Sequence, residues 1–193
     1  QTRGVWKSQL DISVILGVHH ADNNDGFYSV SHPLVLKTVT KLEDSFKALY
    51  QINTISNKSI GNSIGRYPED TYNGYRTDDV GHGWFLATFS MAEFHLRLAK
   101  SLEKNYQLTD NLFYCKLLKL KNCTGLKNNP LNYKANILKA LRAKAQGFFK
   151  RSDIHAANDG RMSEQMNRYS GYMEGAKDLT WSYASHISAL LQL

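Results

Sequence analysis

The sequence predicts an all-α protein, and two observations support that fold class. Apolar residues recur at spacings of three and four over several long segments, and no segment shows a convincing alternation of period two. Long polar, glycine-rich loops separate those segments, as is typical of helical hairpins whose loops gather at one end. With 193 residues the chain has the length of one domain, so residues 1–193 are predicted to form a single domain.

The composition argues against several other classes of protein. The chain is 42% hydrophobic and 21% charged, as ordinary globular proteins are, and it has no run of 18 apolar residues that predicts a membrane-spanning helix. The net charge of +7 comes from scattered Lys and Arg residues, and the local crowding from Lys116 to Lys127 and from Arg142 to Arg151 is interpreted as a solvated basic face. Because no recognised motif accompanies this charge, nucleic acid is not predicted as a partner. A membrane is not predicted either, because the long apolar run is lacking.

The first elements precede residue 50. The apolar run from Ser8 to Gly17 fits a strand or a helix, since periodicity does not separate the two at this length, and the polar segment from His19 to Ser31 is predicted to be a loop. The tripeptide Ser31-His32-Pro33 then supplies an N-cap candidate and an early-turn proline. It begins the clearest amphipathic helix, whose apolar positions are Val35, Val39, Leu42, Phe46 and Leu49.

Two more helices are predicted in the middle of the chain. After Tyr50 the sequence is loop-like to about Gly83, and a connection of that length is more often functional than idle. Trp84 to about Asn105 carries two apolar stripes, which predicts a helix buried on more than one side. The segment from Leu131 to Arg151 is predicted to form the next helix.

A polar loop and a final helix complete the chain. The stretch from Gly160 to Gly175, GRMSEQMNRYSGYMEG, has no long periodic run, and it places Glu164 among hydrogen-bonding neighbours as a candidate general base. The helical pattern resumes at Asp178, which is predicted to act as a cap or first-turn acid. Within that last helix Trp181 is predicted to belong to the core.

The cysteines and the histidines give weaker indications. Cys115 and Cys123 suit either a small loop disulfide or two free thiols, and the sequons at Asn57 and Asn122 mildly favour a secreted or vacuolar protein. The seven His residues show no ligand spacing, so no metal site is predicted. No phosphate-binding loop or nucleophile elbow is present, and no cofactor is predicted.

Several linked motifs, in order along the chain, resemble one known family. GRYPEDTYNG, GHGWFLAT, GRMSEQMNRYSGYMEGAKDLTWSYAS and the early KSQLDIS are similar to the C-terminal half of the catalytic domain of a fungal, yeast-type glucoamylase, a glucan 1,4-α-glucosidase of glycoside hydrolase family 15. The matching blocks extend from about Lys7 to Ser188. The resemblance implies a portion of an (α/α)6 barrel, six helical hairpins in a double ring, which is incomplete in this chain.

The resemblance also implies an activity and roles for particular residues. The family removes single glucose units from the non-reducing ends of starch, glycogen or malto-oligosaccharides with inversion, which requires a general acid and a general base. Glu164 matches the family's general base. Arg66 matches an arginine that binds hydroxyls of the terminal glucose, Asp70 would be its charge partner, Tyr72 would line the pocket and Trp84 would pack on a glucose face.

The sequence departs from the family pattern in ways that matter for activity. The family's general acid lies in a Trp-Glu-Glu segment, and none of the three Trp residues here is followed by Glu, so the chain alone is expected to be inactive. The N-terminus reads like a chain entered part way, which makes the missing N-terminal half a candidate partner. The alternative is a non-catalytic remnant that binds carbohydrate or a partner. The chain also has GHGW where the family usually has Gly-Asn-Pro-Trp. It has Gln9 where the family has a glycine and Met166 where the family has an aromatic residue.

Overall fold

The computed structural model describes residues 7–22, 27–54, 57, 59–105, 114, 117 and 130–193. In these ranges the fold is mostly helical, as predicted. The labelled helices are α1 (Ser13–Ala21), α2 (Pro33–Leu49), α3 (Phe85–Asn105), α4 (Pro130–His155) and α5 (Thr180–Leu190), with a 3-10 turn at Gln51–Thr54. The strands β1 (Gly83–Trp84), β2 (Gln165–Met166) and β3 (Met173–Glu174) form one antiparallel sheet in the order β1-β2-β3.

The first two helices settle one open question and confirm one prediction. The ambiguous run after Ser8 is helical from Ser13, and α1 extends to Ala21, into the segment that was predicted to be a loop. Helix α2 begins at Pro33 and ends at Leu49, as its apolar spacing predicted. Its N-cap is His32, whose Nδ1 accepts a hydrogen bond from the amide of Leu34 at 3.3 Å.

Helix α3 is the centre of the fold. Fourteen of its 21 residues are buried, because α4 covers one side and α5 another. The two apolar stripes in the sequence therefore predicted correctly that this helix is buried on more than one side. At its start the Thr88 hydroxyl donates to the carbonyl of Trp84 at 2.9 Å and accepts from the amide of Ile64 at 3.1 Å, which attaches the preceding loop to the helix.

Helix α4 contains a buried arginine, contrary to the interpretation of its basic residues as a solvated face. Arg151 is only 1% exposed, and its Nε donates to the carbonyl of Gly61 at 2.7 Å. The loop can approach α4 this closely because Gly61 and Gly147 face each other, with the amide of Gly61 donating to the carbonyl of Gly147 at 2.7 Å. The helix also continues past the predicted end at Arg151 to His155.

The last helix differs from its prediction in two respects. Trp181 is 60% exposed and does not belong to the core, because the buried side of α5 consists of Ser182, Ser185 and Ala189. Asp178 does not cap the helix. It has a positive φ of 49°, and its carboxylate accepts a hydrogen bond from the Tyr183 hydroxyl at 2.7 Å.

Some sequence features fall outside the described residues, among them Cys115, Cys123 and the sequon at Asn122. Asn57 is exposed, and its Oδ1 accepts hydrogen bonds from the amide and the hydroxyl of Ser59. No helix in the described ranges is both long and apolar enough to cross a membrane.

Candidate active site

The small sheet brings two glycine-rich loops together, the first loop from Gly65 to Tyr75 and the second loop from Gly160 to Gly175. Strand β1 follows the first loop and pairs with β2, so that Trp84 lies opposite Gln165, the residue after Glu164. On one side the Glu164 carbonyl accepts from the amide of Phe85 at 3.4 Å. On the other side the Glu164 amide donates to the carbonyl of Ala176 at 2.8 Å. The backbone at Glu164 is therefore held between the start of α3 and the segment after β3.

The Glu164 side chain is half-buried and points toward the first loop. Its Oε2 lies 3.3 Å from the Tyr72 hydroxyl and 3.3 Å from the side-chain amide nitrogen of Gln165, and both of these groups donate. Burial raises the pKa of Glu164, although these hydrogen bonds and the charge of Arg66 act in the opposite direction. A carboxylate in this setting accepts a proton more readily than one that is fully solvated.

Two glycines allow the loops to pack against this carboxylate. A side chain at Gly175 would overlap Glu164 Oε2, and the φ of Gly175 is +76°. A Cβ at Gly74, whose φ is +96°, would lie 2.7 Å from the Cα of Gly175. The loops therefore meet backbone to backbone beside Glu164, which only glycine permits at these two positions. The Tyr72 hydroxyl shares its proton between Glu164 and the carbonyl of Gly74, 2.9 Å away.

Arg66 and Asp70 form a bidentate ion pair in the first loop. Arg66 Nε donates to Asp70 Oδ2 at 2.7 Å, and one Nη donates to Oδ1 at 2.6 Å. Asp70 is buried, while about a third of the Arg66 side chain remains exposed. The hydrogen bonds to Asp70 raise the pKa of Arg66 and keep it charged. The ion pair therefore fixes the guanidinium plane through Nε and one Nη.

Aromatic rings surround the guanidinium. Its carbon lies 5.1 Å from the ring centroids of Tyr72 and Trp84 and 5.5 Å from that of Tyr67. The Tyr72 and Trp84 rings are 6.3 Å apart and inclined at 46°. Trp84 is only 5% exposed, so that it contacts mainly protein groups. Its Nε1 is buried and has no hydrogen-bond partner among the described residues.

The structure thus brings together all five residues that were singled out for the site. Glu164 contacts Tyr72, Tyr72 lies beside Arg66, Arg66 is paired with Asp70, and the guanidinium covers Trp84. The arrangement offers one half-buried proton acceptor close to a fixed array of charged donors and ring faces. Such an array suits a polyhydroxylated ligand, since it supplies planar donors for hydroxyl groups. The roles of the five residues remain predictions.

A second polar pair, His82 with Glu174, was not predicted from the sequence. His82 is buried, and its Nε2 lies 2.9 Å from Glu174 Oε2. Glu174 Oε1 accepts from the side-chain amide of Asn167 at 2.7 Å. His82 and Glu174 are far apart in the sequence. The only signal for this pair was that GHGW differs from the family's Gly-Asn-Pro-Trp. Among the described residues no group of three or more His, Cys, Asp and Glu side chains could hold a metal ion.

Comparisons with known proteins show which family the chain resembles. The family model described as Glycosyl hydrolases family 15 matches residues 2–191. Glucoamylase 1 of Rhizopus oryzae is 35% identical to 97% of the chain, and the glucoamylase of Blastobotrys adeninivorans is 37% identical to 94% of it. A third relative, 32% identical to 93% of the chain, is the "Glucoamylase, intracellular sporulation-specific" of Saccharomyces cerevisiae.

Solved structures agree with these matches. A glucoamylase structure from Hormoconis resinae superposes on 100% of the chain with a TM-score of 0.79 at 27% identity, and one from Saccharomycopsis fibuligera superposes on 96% with a TM-score of 0.79 at 26% identity. The helices described above form a portion of an (α/α)6 barrel, the fold of these structures. The chain spans about a third of the length of the curated relatives it matches, 32% of the Rhizopus protein and 31% of the Blastobotrys protein.

Proposed function

The chain belongs to glycosyl hydrolases family 15, and from that premise we propose that it carries the general-base half of an inverting glucan 1,4-α-glucosidase site. The substrate would be starch, glycogen or a malto-oligosaccharide, from which single glucose units are removed at the non-reducing end. The observation that carries the proposal is the half-buried Glu164 carboxylate, which lies beside Tyr72 and faces the Arg66–Asp70 pair. All three relatives named above are glucoamylases.

In the proposed reaction Glu164 activates water. The carboxylate removes a proton from a water molecule, and the water oxygen forms a bond to C1 of the terminal glucose. The bond from C1 to the leaving oxygen breaks on the opposite face as that oxygen takes a proton from the family's general acid. Burial supports this role because it raises the pKa of Glu164 and so strengthens the base. Tyr72 and Gln165 donate to the same oxygen and fix its direction.

Arg66 and its neighbours would bind the terminal glucose. The ion pair with Asp70 holds the guanidinium plane, whose outer edge would donate to sugar hydroxyls. Tyr72 would line the pocket. Trp84 is largely buried under the guanidinium, so its contribution would be to support Arg66 and to meet a glucose only at the exposed part of its ring.

The proposal includes a limit on what this chain does alone. None of its three Trp residues begins the Trp-Glu-Glu segment that the resemblance assigns to the general acid. An unprotonated glycosidic oxygen is a poor leaving group, so we expect no glucose release from maltose or starch by the 193-residue chain. Residues 1–193 are proposed to fold as one domain and to bind the remaining part of the family's catalytic domain as partner.

Two substrates that differ in their need for an acid test the proposal. Fluoride leaves C1 without protonation, so the purified chain at millimolar α-D-glucosyl fluoride should release fluoride above the uncatalysed rate, while maltose stays intact. Glu164→Gln should remove that release, because the amide does not accept the water proton. Fluoride release that is unchanged in Glu164→Gln would overturn the assignment of the base.

The missing acid motif also favours a second candidate, a non-catalytic remnant that binds carbohydrate or a protein partner. It predicts that malto-oligosaccharides bind, as measured by calorimetry, that Arg66→Met weakens this binding, and that no fluoride is released by any form of the chain. The secreted or vacuolar location is likewise a proposal, and the intracellular protein named among the relatives shows that an extracellular location does not follow from similarity to glucoamylases.

A further inference from the structure

The pair of His82 and Glu174 connects the two outer strands of the sheet. His82 immediately precedes β1, Glu174 belongs to β3, and β2 lies between them. The amide of Arg168 donates to His82 Nδ1 at 3.4 Å, so Nδ1 is the unprotonated nitrogen of the neutral ring. The proton is therefore on Nε2, which donates to Glu174 Oε2 at 2.9 Å. This hydrogen bond links the residue before β1 with β3, the two strands that flank β2, and β2 begins directly after Glu164.

Glu174 also holds the turn between β2 and β3. Its Oε1 accepts from the side chain of Asn167, whose Oδ1 in turn accepts from the amides of Tyr169 and Ser170 at 2.9 and 3.1 Å. The Asn167 amide donates to the carbonyl of Tyr172 at 2.8 Å and closes the turn. Each oxygen of Glu174 thus accepts one hydrogen bond, Oε2 from His82 before β1 and Oε1 from Asn167 in the turn. These two hydrogen bonds hold β3 in place.

The residue that follows β3, Gly175, contacts the Glu164 side chain, so a shift of β3 would move the surroundings of that carboxylate. Gly175 follows Glu174, and its backbone packs so closely under Glu164 that a Cβ there would overlap Oε2. Ala176, one residue further, accepts the hydrogen bond from the Glu164 amide. Glu174 itself lies opposite Gln165, which donates to Glu164 Oε2. Each of these contacts depends on β3 staying against β2.

We propose that His82 and Glu174 are positioning residues, which hold β3 against β2 and thereby fix the Glu164 carboxylate against Gly175. This inference rests on the proposed function for its meaning, because it is the base that is positioned. The family pattern Gly-Asn-Pro-Trp has an Asn at the position of His82. The Asn side chain is too short to reach Glu174, so this contact is not part of the family pattern. The expected consequence is that the Glu164 side chain is less solvated with the His82–Glu174 hydrogen bond than without it.

Two substitutions of His82 separate its two hydrogen bonds. In His82→Asn the side-chain oxygen replaces Nδ1 as acceptor for the Arg168 amide, but nothing replaces Nε2. In His82→Gln the side-chain amide nitrogen replaces Nε2 as donor to Glu174. Burial lowers the pKa of His82, so the ring is neutral at pH 7 and neither substitution changes the net charge there. His186→Gln, at a half-buried histidine stacked on Phe89, is the control for general loss of stability.

The measurement uses NMR of the intact chain labelled with ¹³C at its six Glu carboxyl groups, with the Glu164 signal assigned from Glu164→Gln. We expect His82→Asn to lower the pKa of Glu164 toward its ordinary value, because the carboxylate becomes better solvated. We also expect amide exchange at Glu164 to become about tenfold faster, as local opening costs less. His82→Gln should keep both properties near those of the original chain, and His186→Gln should change neither.

Two results would overturn the inference. One is an unchanged pKa and exchange rate at Glu164 in His82→Asn, whatever its melting temperature. The other is equal changes in His82→Asn and His82→Gln, which would point to ring packing and not to the Glu174 contact. Neither readout requires hydrolysis, so a chain that releases no fluoride but shows the expected pattern would refute the proposed base while leaving the positioning role intact.

Discussion

At the scale of single residues, the site depends on positions where the backbone leaves no room for a side chain. Gly175 and Gly74 let two loops touch beside Glu164, and both have positive φ angles that favour glycine. The sequence showed these glycines as loop markers only. Their role follows from which carboxylate lies above them, and nothing in local sequence spacing encodes that contact.

Gly175→Ala should damage the site more than its backbone strain explains. Gly160 provides the matched control, since its φ of +84° resembles the +76° of Gly175 but a Cβ there meets nothing within 4 Å. Both alanine variants should lose about 1–2 kcal/mol of unfolding free energy from the left-handed backbone, measured by denaturant titration. Only Gly175→Ala should also reduce fluoride release from α-D-glucosyl fluoride, by about tenfold or more, because it displaces the Glu164 carboxylate. Equal fluoride release by the two variants would contradict this account.

Gln9→Gly should stabilise the chain. Gln9 is exposed and has a φ of +61°, a conformation that costs about 1–2 kcal/mol for a residue with a Cβ. The flexibility of glycine in the unfolded state offsets about half of that, so the expected gain is about 0.5–1 kcal/mol in denaturant unfolding. Thr77→Gly, at an exposed position without a positive φ, should instead lower stability. A loss of stability in Gln9→Gly would show that the Gln9 side chain makes a contribution larger than its strain.

At the scale of elements, the helices were predictable and the strands were not. Helices α2 and α3 agree with their sequence patterns to within a residue or so because a wide apolar stripe fixes the buried face. Helix α5 was misjudged at Trp181 because its buried face consists of small residues, which carry little hydropathy. Each strand has only two residues, too few for an alternation to register, and their pairing joins segments that are distant in the sequence.

A buried polar group joins three of these helices. Glu43 on α2 accepts from Lys144 on α4 at 2.5 and 2.7 Å, and His95 on α3 places its Nε2 3.4 Å from the same carboxylate. His95 is fully buried, and its Nδ1 donates to the carbonyl of Met91 at 2.7 Å. Burial, helped by the charge of Lys144, lowers the pKa of His95 to about 4, and the opposing effect of Glu43 is smaller.

This histidine should make the fold sensitive to acid. Below the ordinary histidine pKa of 6.5 the unfolded chain binds a proton that the folded chain rejects until about pH 4, so stability falls as pH falls through that window. The full effect of His95 would be about 3 kcal/mol. Denaturant unfolding between pH 7 and 4 should therefore depend less steeply on pH in His95→Gln than in the original chain. His20→Gln, at an exposed position, should leave the slope as it is. Equal slopes in both variants would contradict the assignment.

At the scale of the whole molecule, the chain exposes several large apolar side chains near its C-terminus, where a contiguous apolar surface favours association. Five large apolar side chains near the C-terminus are between 42% and 75% exposed, namely Trp181, Ile187, Leu190, Leu191 and Leu193. The chain spans about a third of its relatives, and the sequence alone had indicated an incomplete helical ring. Which side of the chain would be left open was not predictable, because that depended on the packing of α5.

We expect the purified chain to self-associate through this C-terminal apolar surface. The double substitution Trp181→Ser and Leu191→Ser should shift sedimentation velocity profiles toward monomer at the same concentration, while changing the unfolding free energy by less than about 0.5 kcal/mol each. Tyr75→Ser, at a 70% exposed aromatic residue on the first loop, is the control and should leave association unchanged. Association that persists in the double variant would place the interface elsewhere.

Glu164 is proposed to activate water for attack on the face of C1 opposite the leaving group. Proton NMR during the hydrolysis of α-D-glucosyl fluoride tests it most directly, because the anomer formed first is visible before mutarotation mixes the two forms. If Glu164 activates water in this way, β-glucose is the first product of the chain, and Glu164→Gln gives no enzymatic product. First formation of α-glucose, or of β-glucose at an equal rate in Glu164→Gln, would contradict it.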